Sequence, residues 1–203
     1  MKQRVKVIGI TGGIASGKST IAEMLDSLGA DLIDADKICH ELINTNDIAH
    51  EITKRWGSHL QDNNGKIKRD ALAEIVFSDK KEVSTLNSII HPKAIEQIRS
   101  KIAKLHAKAA TTAIVLDAAL LVESKLIDIC DIVLFIDTEK NGCVSRVQNS
   151  RKWPLDEIAK REKFQDLIPH KREKSDVIIN NNNSKENTLN QVKDFWCQFI
   201  TKK

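Results

Sequence analysis

Gly12-Gly13-Ile14-Ala15-Ser16-Gly17-Lys18-Ser19-Thr20 fits G-x-x-x-x-G-K-[ST], a phosphate-binding loop. The apolar run Val5 to Ile10 before it reads as a buried strand. Behind it, Ile21, Ala22, Leu25 and Leu28 fall at helical spacing. The glycines thus sit between a strand and a helix, which is the context the motif requires. Without a Cβ at Gly12, Gly13 or Gly17, the backbone can turn tightly and approach a phosphate. The amides of Gly13, Ile14, Ala15, Ser16, Gly17, Lys18, Ser19 and Thr20 then face one concavity. It lies at a helix N-terminus, which favours anions. Lys18 can span the β- and γ-phosphates, and the Ser19 hydroxyl can ligate Mg²⁺. The loop predicts a nucleoside triphosphate and leaves the reaction open.

Outward from the loop, Ala30 to Asp34 reads as a second strand, with Asp34 and Asp36 at its C-terminal end. A helical stretch follows, with candidates at Asp47–Trp56 and Arg69–Phe77 around an Asn63-Asn64-Gly65 turn. A longer helix is expected to begin at Pro92, carrying Ile95, Ile98, Ile102 and Leu105. Strands return at Thr112–Asp117, Asp131–Asp137 and Asp176–Asn180. Charged helices interrupted at Trp153-Pro154 lie between the last two. A closing helix carries Leu189, Val192, Phe195, Trp196 and Phe199. Strands alternating with helices predict an α/β fold with a parallel sheet flanked by helices. Ligands in such sheets bind beyond the carboxyl ends of the strands.

The 203 residues suffice for one domain with insertions. The charge of +4 comes from 32 basic and 28 acidic residues that are interspersed, so an anionic small substrate suits as well as a nucleic acid. No apolar stretch approaches membrane-spanning length, and Met1 to Lys6 runs straight into the first strand, so no signal peptide is expected. Cys39, Cys130, Cys143 and Cys197 are scattered without a C-x-x-C pair, and they read as free thiols of a cytoplasmic protein.

Several groups are candidates for chemistry. Phosphoryl transfer needs an in-line nucleophile, neutralised charge and often a carboxylate to accept the hydroxyl proton. Asp36, one strand from the loop, can be that base, Asp34 can instead hold a metal-bound water or cap the next helix, and both also read as simple caps or solvated turn residues. Asp117 follows a hydrophobic strand, where a carboxylate can orient Mg²⁺ or end a strand; Glu123 is a weaker candidate. Arg146, Arg151 and Arg161 can clamp phosphates or line a solvated helix face, and their spacing does not choose. His91 reads as a cap of the Pro92 helix more readily than as a ligand or base.

Taken together, these residues resemble the dephospho-coenzyme A kinase family over nearly the whole chain. The first signature is Thr11 to Thr20, and the second is Asp34-Ala35-Asp36. The third runs Gly65, Arg69, Leu72, Phe77 and His91-Pro92. The fourth is Leu116 to Glu123, and the fifth is Gln165, Lys171 and Ser175 to Asn180. The phosphate loop is common to many families, whereas this ordered set is far more specific. The resemblance implies a P-loop NTPase-type sheet with a helical acceptor-binding insertion and a helical lid. Residues 1–45, 111–138 and 174–203 would form the nucleotide-binding core, 46–110 the insertion and 139–173 the lid.

The implied reaction is transfer of the ATP γ-phosphate to the ribose 3′-hydroxyl of dephospho-coenzyme A. By that resemblance Asp36 takes the base position, with Lys18, Arg146 and Arg151 as further catalytic groups. Gly13 to Thr20 and Asn180 would bind ATP. Asp36, Arg69, His91, Asp117 and Leu120 would bind the acceptor. Ser19, with Asp34 or Asp117 through water, would hold Mg²⁺. A monomer or weak homo-oligomer is expected, with no nucleic acid or membrane partner. Three positions depart from the family pattern: His40 stands for an arginine, Ala119 for a proline and Cys143 for a glutamine. His40 replaces a guanidinium only when protonated, so weaker acceptor binding is expected.

Other readings make different demands. Another small-molecule kinase of this fold would lack the middle and C-terminal signatures. A GTP-driven switch needs a D-x-x-G clear of the loop and an [NT]-K-x-D motif. Here Asp26 to Gly29 lies inside the first helix and the second motif is absent. A nucleic-acid-binding ATPase should show DNA- or RNA-stimulated turnover with strong salt dependence, and the mixed charge predicts neither.

Overall fold

The computed structural model describes residues 4–108, 110–139, 143 and 168–201. Five strands form one sheet: β1 (Lys6–Gly12), β2 (Ala30–Asp34), β3 (Ala113–Asp117), β4 (Ile132–Asp137) and β5 (Val177–Asn180), in the order β2-β3-β1-β4-β5. Every pairing is parallel. β3 and β4 are almost wholly buried apolar runs, the composition expected of strands covered on both faces. The helices are α1 (Lys18–Ser27), α2 (Ala35–Leu42), α3 (Asn46–Trp56), α4 (Arg69–Val76), α5 (Lys80–Ala107), α6 (Ile168–Glu173) and α7 (Lys185–Trp196).

Two compact units result, one of Met1–Asp34 with Lys101–Lys203 and the other of Ala35–Ser100. In the first, Ile21, Ala22, Met24 and Leu25 of α1 and Val192, Phe195 and Trp196 of α7 pack on one sheet face, against Ile8, Ile10, Val115 and Leu134 among others. Phe195 stacks on Phe199 with ring centroids 5.3 Å apart. This core explains why the closing segment is helical, because its apolar positions recur at helical spacing and have a sheet to cover. Ser184 caps α7 by accepting the Asn187 N–H at 3.2 Å.

The second unit is helical. Glu82 of α5 accepts from Arg55 and from Trp56 Nε1 of α3, both at 2.6 Å. Lys93 of α5 pairs with Asp47 of α3. The Asn63 to Gly65 turn is closed by Asp62 Oδ1, which accepts the N–H groups of Asn64 and Lys66 at 2.8 and 2.9 Å.

One expectation fails here. The helix expected to start at Pro92 starts at Lys80, and Pro92 lies inside it. A proline costs an interior helix one hydrogen bond and crowds the preceding turn. The buried residues Ile90, Ala94 and Ile98 nevertheless form one stripe that straddles Pro92, so burial at spacing four carries the helix through. His91 therefore caps nothing. The expectations placed on residues 144–167, including Trp153-Pro154, Arg161 and Gln165, lie outside the described residues.

Candidate active site

The end of β1 and the start of α1 build the phosphate loop. Gly17, the residue before α1, holds φ 96° and ψ 22°, left-handed values that only glycine adopts without strain. Ala15 holds φ 56°, at a cost of roughly 1–2 kcal/mol. The Ser16 N–H donates to the Gly13 carbonyl at 3.3 Å, and the Ile21 N–H to the Gly17 carbonyl at 3.1 Å. Lys18 turns back on the loop, its Nζ donating to the carbonyls of Gly13 at 2.8 Å and Gly12 at 3.3 Å. The ammonium is thus held at the loop by main-chain acceptors.

A second layer fixes the loop from outside. The Ser16 carbonyl accepts from both Thr138 Oγ1 and Asn181 Nδ2 at 2.8 Å. Buried Thr188 of α7 donates in turn to Asn181 Oδ1 at 3.0 Å. Sequence reading treated Asn180 to Asn183 as a polar turn and missed this brace. Its one sequence signal is an Asn following a strand end, which many turns share. Asn180 itself ends β5. Its N–H donates to Gln191 Oε1 at 2.9 Å and its carbonyl accepts from Gln191 Nε2 at 2.8 Å.

Ser19 Oγ donates to Asp117 Oδ2 at 2.9 Å. Asp117 ends β3, Asp34 ends β2, and the two are register partners. Lys18, Ser19, Asp34 and Asp117 therefore gather at the carboxyl ends of three adjacent strands. Burial pushes the Asp117 carboxyl above its ordinary range. The Ser19 hydrogen bond and the Lys18 charge oppose that rise, and the Asp34 charge adds to it. The hydroxyl and carboxylates offer only hard oxygen donors, and a divalent cation would offset the unfavourable charge on Asp117. These residues therefore fit Mg²⁺, which takes one or two carboxylates beside substrate phosphates. No larger cluster of metal-ligating side chains occurs among the described residues.

Leu120 is half-buried in the turn after β3, its carbonyl accepting the Ser124 N–H at 2.9 Å and Ser124 Oγ at 2.6 Å. The Ala119 carbonyl, at one departure from the family pattern, accepts from Lys171 Nζ at 3.3 Å. Lys171 is fully buried and pairs with Glu123 Oε1 at 2.9 Å. Sequence reading ranked Glu123 low and gave Lys171 no role, because no spacing rule joins residues so far apart. Cys143, another departure, has its Sγ 3.8 Å from the Thr138 carbonyl.

In the helical unit, Asp36 is exposed in the first turn of α2. One turn later, His40 Nε2 lies 3.0 Å from Arg69 Nη2 at the start of α4. A guanidinium only donates, so the ring nitrogen is the accepting side of any hydrogen bond between the two. His91 sits within α5, where burial pushes its pKa below the ordinary value. Arg146 and Arg151 lie outside the described residues.

Comparison with known proteins matches this arrangement to one family. A family model described as dephospho-CoA kinase matches residues 6–187. The dephospho-CoA kinase of Fusobacterium nucleatum subsp. nucleatum is 35% identical over 196 residues, covering 97% of this chain and 99% of its own. A crystal structure from Thermus thermophilus has a TM-score of 0.80 at 25% identity, covering 98% of this chain and 100% of its own. Dephospho-CoA kinase from Campylobacter jejuni has a TM-score of 0.65 at 28% identity, covering 97% of this chain and 98% of its own. The α/β reading of the sheet and phosphate loop therefore holds, and the chain belongs to the dephospho-CoA kinase family.

Proposed function

We infer that this chain is an ATP-dependent kinase that transfers the γ-phosphate of ATP to the ribose 3′-hydroxyl of dephospho-coenzyme A, the last step in making coenzyme A. The observation that carries the reading is the Ser19–Asp117 pair beside a phosphate loop, in a chain whose family match runs from residue 6 to residue 187. In this reading residues 1–45, 111–138 and 174–203 bind the nucleotide, 46–110 bind the acceptor and 139–173 form a lid.

The loop amides from Gly13 to Thr20 receive the phosphates. Lys18 leaves its carbonyl acceptors for the β- and γ-phosphates, where its charge offsets the negative charge of transfer. Ser19, with Asp34 or Asp117 through water, would hold Mg²⁺, which would supply neutralisation of the phosphate charge. Asp36 accepts the proton of the 3′-hydroxyl as that oxygen attacks phosphorus. Arg146 and Arg151 close on the transferred group as planar donors. Asn180 contacts the adenine side. Arg69, oriented by His40, joins His91, Asp117 and Leu120 in holding the acceptor. The enzyme works in the cytoplasm as a monomer or weak homo-oligomer, with no nucleic-acid or membrane partner; no described helix is long and apolar enough to cross a membrane.

The test is incubation with Mg·ATP and dephospho-coenzyme A, reading coenzyme A by mass. Product that disappears with Lys18→Ala supports both donor and acceptor. ATP binding without product in the wild type would reject this acceptor.

A further inference from the structure

Helix α6 is only six residues long, yet it lies against the segments at the ends of β1, β3 and β4. A Cβ added at Gly13 would lie 3.2 Å from Ile168 Cδ1. Arg172 Nη1 is 3.3 Å from Asp137 Oδ2 at the end of β4, and its guanidinium lies 5.8 Å from the Phe135 ring centroid. Between them Lys171, with no solvent exposure, enters the turn that follows Asp117.

Inside that turn Lys171 Nζ meets the Ala119 carbonyl at 3.3 Å and Glu123 Oε1 at 2.9 Å. Ala119 stands two residues after Asp117, and Glu123 lies further along the same turn. The turn also closes on itself, through Ser124 to the Leu120 carbonyl and Ile127 N–H to the Leu121 carbonyl at 3.1 Å. One cation thus bridges the two limbs of the turn whose first residue bonds Ser19.

A fully buried lysine is a poor choice if stability is the only purpose. Desolvating an ammonium and a carboxylate offsets most of their attraction, and an apolar pair of similar volume often serves as well or better. What an ion pair adds is direction, because the charge-assisted bonds fix where the turn stands.

We propose that Lys171 and Glu123 are a positioning pair for the kinase reaction, holding the turn after β3 so that Asp117 meets Ser19 where Mg·ATP binds. The proposal rests on the reading of this site as a Mg·ATP site and adds residues that touch neither substrate. It predicts a specific defect. Loss of the pair weakens the part of ATP affinity that depends on Mg²⁺ and leaves the part supplied by the loop amides and Lys18.

The experiment compares wild type, Lys171→Met and the double variant Lys171→Met/Glu123→Leu. ATP affinity is measured by calorimetry in excess Mg²⁺ and again in EDTA, alongside melting temperature and turnover. The double variant removes both charges of the pair, so it is expected to melt near the wild type even if Lys171→Met alone does not fold. Its ATP affinity in EDTA is expected within about two-fold of wild type. Its gain in affinity from Mg²⁺ should shrink by about ten-fold, the scale of one lost charge-assisted bond, and kcat should fall with it. A double variant that melts like wild type and keeps the full Mg²⁺ gain overturns the proposal. Equal losses in Mg²⁺ and in EDTA also overturn it, since they mark general loosening of the loop. The binding readout does not involve the acceptor. Failure of the wild type to make coenzyme A would therefore count against the acceptor reading alone.

Discussion

Gly12→Ala tests how the end of β1 is locked to its neighbour. Gly12 pairs in register with Ile136 of β4 and holds φ 153°. A Cβ there would lie 2.9 Å from the Ile136 carbonyl oxygen and 2.8 Å from Ser16 Oγ. The serine hydroxyl can rotate away. The carbonyl cannot, because it belongs to the backbone of a buried strand. An unfavourable φ costs roughly 1–3 kcal/mol, and overpacking typically costs about 1–3 kcal/mol more. The sum is roughly 2–6 kcal/mol, a large share of the ~5–15 kcal/mol that stabilises a typical domain. At ~2–4 °C per kcal/mol for a chain of this size, the melting midpoint should fall by about 4–24 °C. Gly13→Ala is the control, since its Cβ would meet only the tip of the Ile168 side chain at 3.2 Å. The assay is thermal unfolding by circular dichroism without nucleotide, on both variants and wild type. If Gly12→Ala melts no lower than Gly13→Ala, the clash and strain argument is wrong.

Three further outcomes are expected. Asp36→Asn should keep ATP affinity nearly intact while turnover falls at least about 10²-fold; near-normal turnover in single-turnover kinetics would remove Asp36 from the base role. Asp117→Asn should melt at or above wild type at neutral pH without Mg²⁺. Burial raises the folded carboxyl above its ordinary value, so its contribution to stability is full below the unfolded pKa and is lost as pH rises through the folded pKa. The asparagine escapes that loss, and the two melting curves should converge on acidification; a lower midpoint for Asp117→Asn at pH 7 would contradict this. Burial first, then Asp131, Asp128 and Asp176, push the Cys130 thiol up to about 12. Iodoacetamide at pH 8 should therefore alkylate exposed Cys197 and spare Cys130 until the chain unfolds, and mass mapping showing Cys130 modified in the native state would refute that.

What the sequence made legible follows from the range over which each signal acts. Strands β1, β3 and β4 were readable because buried parallel strands are continuous apolar runs, and the shorter β2 and β5 because they end in Asp and Asn. Ala30–Asp34 was placed to the residue, and the others within one or two positions at each end. The phosphate loop was readable because its chemistry is contiguous in the chain. The Pro92 helix was misread for the opposite reason. Proline is a strong local punctuator, but the stripe of Ile90, Ala94 and Ile98 is read only against whatever covers it. Local propensity said start, and burial said continue.

The candidate site divides along the same line. Gly13 to Thr20 could be named from spacing, whereas the groups that hold them still could not. Asn181 and Thr138 reach the Ser16 carbonyl from 165 and 122 residues away in the chain. Lys171 reaches the turn after β3 from 52 residues away. None of these has a periodicity, and each depends on a strand order in which β1 lies between β3 and β4. That order also explains why unfavourable features collect here and persist. Ala15 in a left-handed conformation and the half-buried Asp117 beside Asp34 each oppose folding locally. Both stand at the ends of central strands whose registers are fixed on both sides, so neither can relax without breaking the sheet. A site that must receive several negative charges needs a cationic, amide-lined loop and carboxylates for a metal ion at close quarters. Only a scaffold this constrained can hold that unrelaxed arrangement ready before the nucleotide arrives.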